Sequence, residues 1–219
     1  MRLAIFDLDN TLLAGDSDHA WGEFLVAEGL VVPVLHKARN DGFYADYCAG
    51  KLDIFAYSEF VFSFLVDKEP SWLAALHRRF MENVIEPMVL PKAVDLVESH
   101  RTRGDRLLIT TATNRFITAP IAARFGIDEL LATDPEQVEG RYTGRVAGTP
   151  CYQDGKIVRF REWLARQDRT FEESWFYSDS RNDLPLLRVV DHPVAVNPDT
   201  VLAAEAREAG WPILDLREG

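Results

Sequence analysis

The sequence is poor in cysteine: of 219 residues only Cys48 and Cys151 are cysteines. They lie far apart and without metal-ligand spacing, which leaves neither a disulfide framework nor a cysteine zinc site, and both are expected as ordinary reduced thiols. Positive charge is also scarce. Lys and Arg number 24 against 35 Asp and Glu, a net charge of -11, and no long basic run offsets it. That balance argues against a nucleic-acid or anionic-membrane partner. Long apolar runs are missing too: none approaches the ~18 residues that span a bilayer, and the opening run meets charge at Asp7, too early for a signal peptide. A cytoplasmic protein is expected. Internal repeats and low-complexity tracts are lacking. With 47% hydrophobic residues, the chain can bury the core of one sizeable domain, or of one domain carrying an insertion.

What is present is organised around Leu3-Ala4-Ile5-Phe6-Asp7-Leu8-Asp9-Asn10-Thr11. A continuous apolar run suits a parallel strand buried on both faces, and it ends in two carboxylates that leave on the same side. In open α/β sheets ligands bind at that carboxyl end. Paired carboxylates repel unless a cation or a shared proton relieves them, so the pair points to a divalent metal, to acid/base chemistry, or to both. A simple Asp-containing turn is the plain alternative. An EF-hand loop is excluded, because its sixth position would be Leu12 instead of Gly and its twelfth Asp18 instead of Glu.

From Asp16 onward the pattern is helical. Asp16, Ser17 and Asp18 offer N-caps for a helix with Trp21, Phe24 and Leu25 on one face. Further helices are expected over Val34 to Tyr47, over Ile54 to Val66, and along Trp72, Leu73, Leu76 and Phe80. No strand interrupts them, which reads as an all-helical insertion over 16–87 in a core formed by 1–15 and 88–219. Beyond Pro91 strands and helices alternate: a helix to Arg103, a strand Leu107 to Thr111, a helix Phe116 to Phe125, an excursion bracketed by Gly140 and Gly144, and a helix Lys156 to Gln167. Strands follow at Ser174 to Tyr177, Pro193 to Val196 and Pro212 to Leu214, with a helix Thr200 to Ala209 between the last two. This order predicts an α/β fold, a Rossmann-like, doubly wound parallel sheet with an inserted helical cap.

Three of the strands end in polar groups: Asp7 and Asp9, then Thr111, then Asp179-Ser180-Arg181-Asn182-Asp183, with Lys156 before the last. In this order the motifs resemble those of the haloacid dehalogenase superfamily of phosphohydrolases, and the early helical insertion is similar to that of its phosphoserine-phosphatase-like branch. The resemblance covers essentially the whole chain. It implies an aspartyl-phosphate formed on Asp7, with Asp9 as proton donor and acceptor. It implies Mg²⁺ held by Asp7, the Asp9 backbone carbonyl and Asp179. Thr111 with the neighbouring Ala112 would hold a phosphoryl oxygen beside Thr11, Lys156 would offset charge, Asp183 would orient Lys156 or a metal water, and Asn182 would touch phosphate. The second carboxylate, Asp9, favours a phosphoester over a carbon–halogen substrate, since only the former needs an alkoxide protonated.

Substrate choice should lie in the cap. Counting from the nucleophile, Asp16 stands where phosphoserine phosphatases carry the Glu that reads the substrate ammonium. Their carboxylate-reading arginine lies eleven residues beyond the Gly of a Gly-Lys-Leu stretch; from Gly50 that count reaches Val61, and no Arg occurs between Arg39 and Arg78. A substrate carboxylate would go unpaired. The expectation is therefore a small-molecule phosphomonoester with an amine and no carboxylate, such as histidinol phosphate. Phe43, Tyr44, Tyr47, Phe55 and Tyr57 are available to stack on an imidazole or to form the bundle's own core. Phosphoserine hydrolysis, phosphoryl transfer to another alcohol, and a non-enzymatic metal- and phosphate-binding module remain as alternatives.

Overall fold

Leu3, Ala4, Ile5 and Phe6 are all fully buried, as an apolar run without alternation requires of a strand covered on both faces. In the computed structural model, which describes residues 1–168 and 170–217, this run is β1 (Arg2–Phe6). Glu218 and Gly219, at the end of the expected core range 88–219, lie outside the described residues, as does Arg169. Four helices follow: α1 (Ser17–Ala27), α2 (Pro33–Cys48), α3 (Ile54–Ser63) and α4 (Pro70–Phe80). A π-helical turn, Met81–Ile85, joins α4 to α5 (Glu86–Met88). That turn was not expected from the sequence, but Pro87 explains it, because its ring clashes with a carbonyl four residues back and the ladder widens to avoid it.

The rest of the chain alternates. It runs α6 (Pro91–Thr102), β2 (Arg106–Asn114), α7 (Arg115–Arg124), β3 (Glu129–Val138), β4 (Arg141–Ala147), α8 (Asp154–Ala165) and β5 (Glu173–Ser178). A 3-10 turn over Arg181–Asp183 leads into α9 (Leu184–Leu187), then β6 (His192–Val196), α10 (Thr200–Ala209) and β7 (Ile213–Leu214). Gly210, left-handed at φ 70°, closes α10, a conformation that glycine adopts without steric cost.

The sheet order is β4-β3-β2-β1-β5-β6-β7, parallel except for β4. The chain winds outward from β1 through β2 and β3, then returns to β5 on the other side of β1. The switch point thus falls between the carboxyl ends of β1 and β5, where a crevice opens. β3 is a strand that the sequence reading lacked. Its buried part, Leu130 to Thr133, is short and runs into Pro135, which masks the signal. Gly140 does sit in a tight turn, with Glu139 and Gly140 both at positive φ, but Gly144 lies inside β4 and brackets nothing.

Alternate residues of β1 feed two cores. Ala4 and Phe6 pack with α6, α7 and the inserted α1 and α4, through Val97, Ile121, Trp21 and Phe80. Leu3 and Ile5 pack with α8, α9 and α10. The insertion is all helical, but its larger apolar residues belong to the sheet's own core; only Phe60, Val61, Phe62, Leu65 and Leu73 form a separate small cluster, which rests on Tyr142 and Val146 of β4. Among the described residues no helix is long and apolar enough to cross a membrane.

Beneath the sheet's first face a polar network is buried. His100 is fully buried; its Nδ1 lies 2.8 Å from Asp105 Oδ2 and its Nε2 2.8 Å from the Tyr177 hydroxyl. Burial holds the His100 pKa below its ordinary 6.5. Native His100 therefore binds fewer protons than it does unfolded, so its stabilisation is complete above pH 6.5 and fades as pH falls below it. His100→Phe should strand the Tyr177 hydroxyl and remove one partner of Asp105, which keeps Arg2 and Arg103, costing about 1–3 kcal/mol. The cost should be larger at pH 8 than at pH 5, as read from urea denaturation midpoints at the two values.

Candidate active site

At the switch point the β1 backbone is still paired, with the Asp7 amide donating to the Tyr177 carbonyl at 2.9 Å. The Asp7 side chain is therefore delivered on a fixed strand end. Its Oδ1 lies 2.8 Å from Lys156 Nζ, and its Oδ2 accepts from the Thr11 hydroxyl at 3.2 Å. Lys156 is 2% exposed and its ammonium also lies 2.6 Å from Asp183 Oδ1. Asp183 accepts from the Ser178 hydroxyl at 2.6 Å through its other oxygen. One buried cation thus spans β1, α8 and the loop after β5. The Asp179 amide donates to Thr11 Oγ1 at 3.0 Å, and the same oxygen is 3.5 Å from Asp179 Oδ1, which brings Asp179 beside Asp7.

Asp9 has different surroundings. Its Oδ1 accepts from the Ser17 amide at 2.7 Å. Its Oδ2 accepts from the Thr113 hydroxyl at 2.8 Å and the Thr111 hydroxyl at 3.3 Å. Thr111 therefore reaches the site, but its hydroxyl is bound to Asp9. Ala112 sits between the two threonines on the wall of a cavity above Asp9. Asn182 is placed differently from the expectation. Its amide nitrogen donates to the Tyr47 carbonyl at 3.2 Å, and its oxygen accepts from Gln153 at 3.2 Å, so it ties the core to α2. Gln153 also donates to the Gly50 carbonyl at 3.3 Å and holds a positive φ of 48°, strain that a non-glycine residue pays about 1–3 kcal/mol to keep.

Charge at this point is unbalanced. Asp7, Asp179 and Asp183 face a single ammonium. Burial, with help from Asp183 and Asp9, pushes the Asp7 carboxyl up to about 7 even though Lys156 pulls it down. Burial and the Asp7 and Asp183 charges raise Asp179 well above the usual carboxylate range, and among the described residues Asp179 makes no ion pair. Lys156 is held protonated, since Asp183 and Asp7 outweigh the effect of its burial. Clustered carboxylate oxygens with excess negative charge are the donor set of a hard divalent cation, so Asp7 and Asp179 fit Mg²⁺.

Above Asp9 a narrow cavity of about 30 Å³ lies between the sheet and the insertion. Asp16 lines it and also caps α1, its Oδ1 accepting from the His19 amide at 2.7 Å. Phe43, Tyr44, Tyr47 and Tyr57 line the same cavity. Phe55 does not; it is 60% exposed. Val61, at the position compared with the carboxylate-reading arginine, is buried in the insertion's own cluster and faces no ligand space. Sequence reasoning missed Thr113, whose signal was its place two residues past Thr111 on one strand face. It missed Ser178 and Gln153, for which no sequence signal exists. It also missed Asp18 and Asn40 on the cavity wall; Asn40 approaches because Gly22 leaves room, a Cβ there falling 2.5 Å from the Asn40 amide.

The model of the haloacid dehalogenase-like hydrolases matches residues 4–188. A histidinol-phosphatase of Neisseria meningitidis is 47% identical over 99% of both chains. A crystal structure of a protein of unknown function from Bordetella pertussis has 46% identity and a TM-score of 0.92, covering 98% of each chain. A phosphoserine phosphatase with a phospho-aspartyl intermediate analogue superposes with a TM-score of 0.69 at 16% identity, over 99% of this chain and 93% of that one; this likeness is one of fold. The chain belongs to the haloacid dehalogenase-like hydrolases. Within them its class is that of the phosphatases, enzymes that hydrolyse phosphoric monoesters.

Lys156→Met should leave Asp7 and Asp183 facing one another in a buried site, at a cost of about 3–5 kcal/mol. Adding Asp183→Asn should return about 1 kcal/mol or more of that loss. Urea denaturation of the single and double variants measures both; additive losses would contradict the pairing.

Proposed function

We propose that this phosphatase is a Mg²⁺-dependent enzyme acting on a small amino-alcohol phosphate, with histidinol phosphate its favoured substrate. The observation that carries the reading is the cavity above Asp9: it is acidic, aromatic and, among the described residues, lined by no Lys or Arg. An ammonium is complementary to such a space, while a substrate carboxylate would be left unpaired there. The similarity to the Neisseria histidinol-phosphatase supports the same choice.

In this reading residues 16–87 act as a cap over a catalytic core formed by 1–15 and 88–219. Asp7 attacks phosphorus; the bond from its carboxylate to phosphorus forms while the bond from phosphorus to the substrate oxygen breaks. Protonated Asp9 gives its proton to the departing alkoxide, and its carboxylate then takes a proton from the water that cleaves the aspartyl-phosphate. The Ser17 amide and the Thr113 and Thr111 hydroxyls hold Asp9 in place for both steps. Lys156 keeps the Asp7 carboxylate oriented and offsets charge as the phosphoryl group arrives, and Asp183 positions Lys156. Mg²⁺, bound by Asp7, Asp179 and the Asp9 carbonyl, would supply charge neutralisation for the phosphoryl oxygens. Asn182, already bonded to Tyr47, acts in holding the cap to the core and not in touching phosphate.

Phosphate release from histidinol phosphate, phosphoserine, phosphoethanolamine and sugar phosphates, with and without Mg²⁺, tests the reading. Histidinol phosphate should be hydrolysed fastest and only with Mg²⁺; phosphoserine well ahead of the rest would refute it. Asp9→Asn should lower kcat by roughly 10²- to 10⁴-fold, whereas Asp7→Asn should abolish formation of an acid-stable phosphoprotein altogether.

A further inference from the structure

The cavity carries more negative charge than one ammonium neutralises. Asp9, Asp16 and Asp18 all line it. The only basic side chain beside them is His19, and its ring is already engaged, with Nε2 3.0 Å from Asp41 Oδ1. Asp18 is the unexpected member. At the second position of α1 a carboxylate ordinarily faces solvent and complements the helix dipole, yet Asp18 is only 6% exposed. It is also approached from two other elements: the Tyr57 hydroxyl of α3 lies near it, and Asn114 Nδ2 at the end of β2 approaches its Oδ1 at 3.5 Å. A carboxylate has about four acceptor positions, so two partners leave acceptor capacity towards the cavity. Burial and the neighbouring acids raise both Asp16 and Asp18, the condition that a bound cation or a strong N–H donor relieves.

We propose that Asp18, held by Tyr57, reads a second nitrogen group of the substrate. Asp16 then takes the ammonium, and the aromatic side chains of α2 flank a ring whose N–H is directed at Asp18. The substrate class becomes phosphomonoesters of amino alcohols that carry an N–H-bearing ring or a second cation. This inference rests on the amino-alcohol reading above and narrows it. Tyr57 is a positioning residue here, acting through Asp18.

The two alcohols histidinol and phenylalaninol separate this role from a merely structural one, since both carry the ammonium and only the first carries ring nitrogens. Calorimetric titration of the full chain with each should give roughly tenfold or greater preference for histidinol. Asp18→Asn keeps the shape and removes the charge; it should bring the ratio of the two dissociation constants to within about threefold of one. Tyr57→Phe should reduce the ratio by at least about threefold, and it carries the test if Asp18→Asn fails to fold in a thermal melt. No preference in the wild type, or a ratio that survives both substitutions, overturns the proposal. Neither alcohol bears phosphate, so the outcome is separate from catalysis. Hydrolysis of histidinol phosphate with an unchanged ratio in Asp18→Asn refutes only the role of Asp18. Asp18-dependent histidinol binding without hydrolysis refutes only the phosphatase substrate reading.

Discussion

The buried ammonium of Lys156 between Asp7 and Asp183 is the interaction on which the site depends. It lies 2.8 Å from one carboxylate and 2.6 Å from the other, and without it three acids would meet with no cation between them. A buried ion pair is weak evidence for stability, because desolvation cancels much of the attraction. Its value here is placement. Asp7 follows β1, Lys156 comes from α8 and Asp183 from the turn after β5, and the same arrangement sets Asp179 beside Asp7. The excess negative charge that remains is of the kind a hard divalent cation neutralises.

The insertion is attached to this centre at two levels. Its apolar residues Trp21 and Phe80 are part of the sheet's core, so α1 and α4 stand in fixed positions. Polar contacts do the rest at the rim: Asn182 to the Tyr47 carbonyl, and Gln153 to the Gly50 carbonyl. The Ser17 amide on Asp9 shows how closely the two parts are joined. The first residue of the first inserted helix bonds the Asp9 carboxylate, while its neighbours Asp16 and Asp18 line the space beside it. The strand-end carboxylate and the cavity thus share the first turn of α1.

Much of the site was legible because carboxylates at strand ends carry a local signature. A buried strand reads as an apolar run, and Asp7, Asp9, Thr111 and Asp179 each follow such a run directly. Lys156 was legible only through its order among the motifs, since a single lysine near a helix start carries no sign that it will be buried. Thr113 was legible only through its place two residues past Thr111 on one strand face, and Ser178 and Gln153 were not legible as site residues. Thr113 and Gln153 act on groups distant in sequence and Ser178 on Asp183 five residues on, and nothing in a threonine or serine announces its partner. β3 was missed because half of its length belongs to an exposed hairpin and lacks an apolar pattern, and Phe55 was offered to the cavity because aromatic character does not say which face of α3 it occupies.

The sequence by itself determined the alternation of strands and helices, the helical insertion and the carboxylates at strand ends, because those features follow from residue periodicity and from chemistry within a few positions. Tertiary structure decided what the acids are paired with. It gave Lys156 to Asp7 and Asp183, joined Asn182 to the insertion, and turned Asp18 inward to the cavity wall. Each of these depends on groups from different elements meeting in a low-dielectric interior, where a carboxylate's partners, and the absence of lysine and arginine from a cavity wall, are fixed by packing and not by neighbours along the chain.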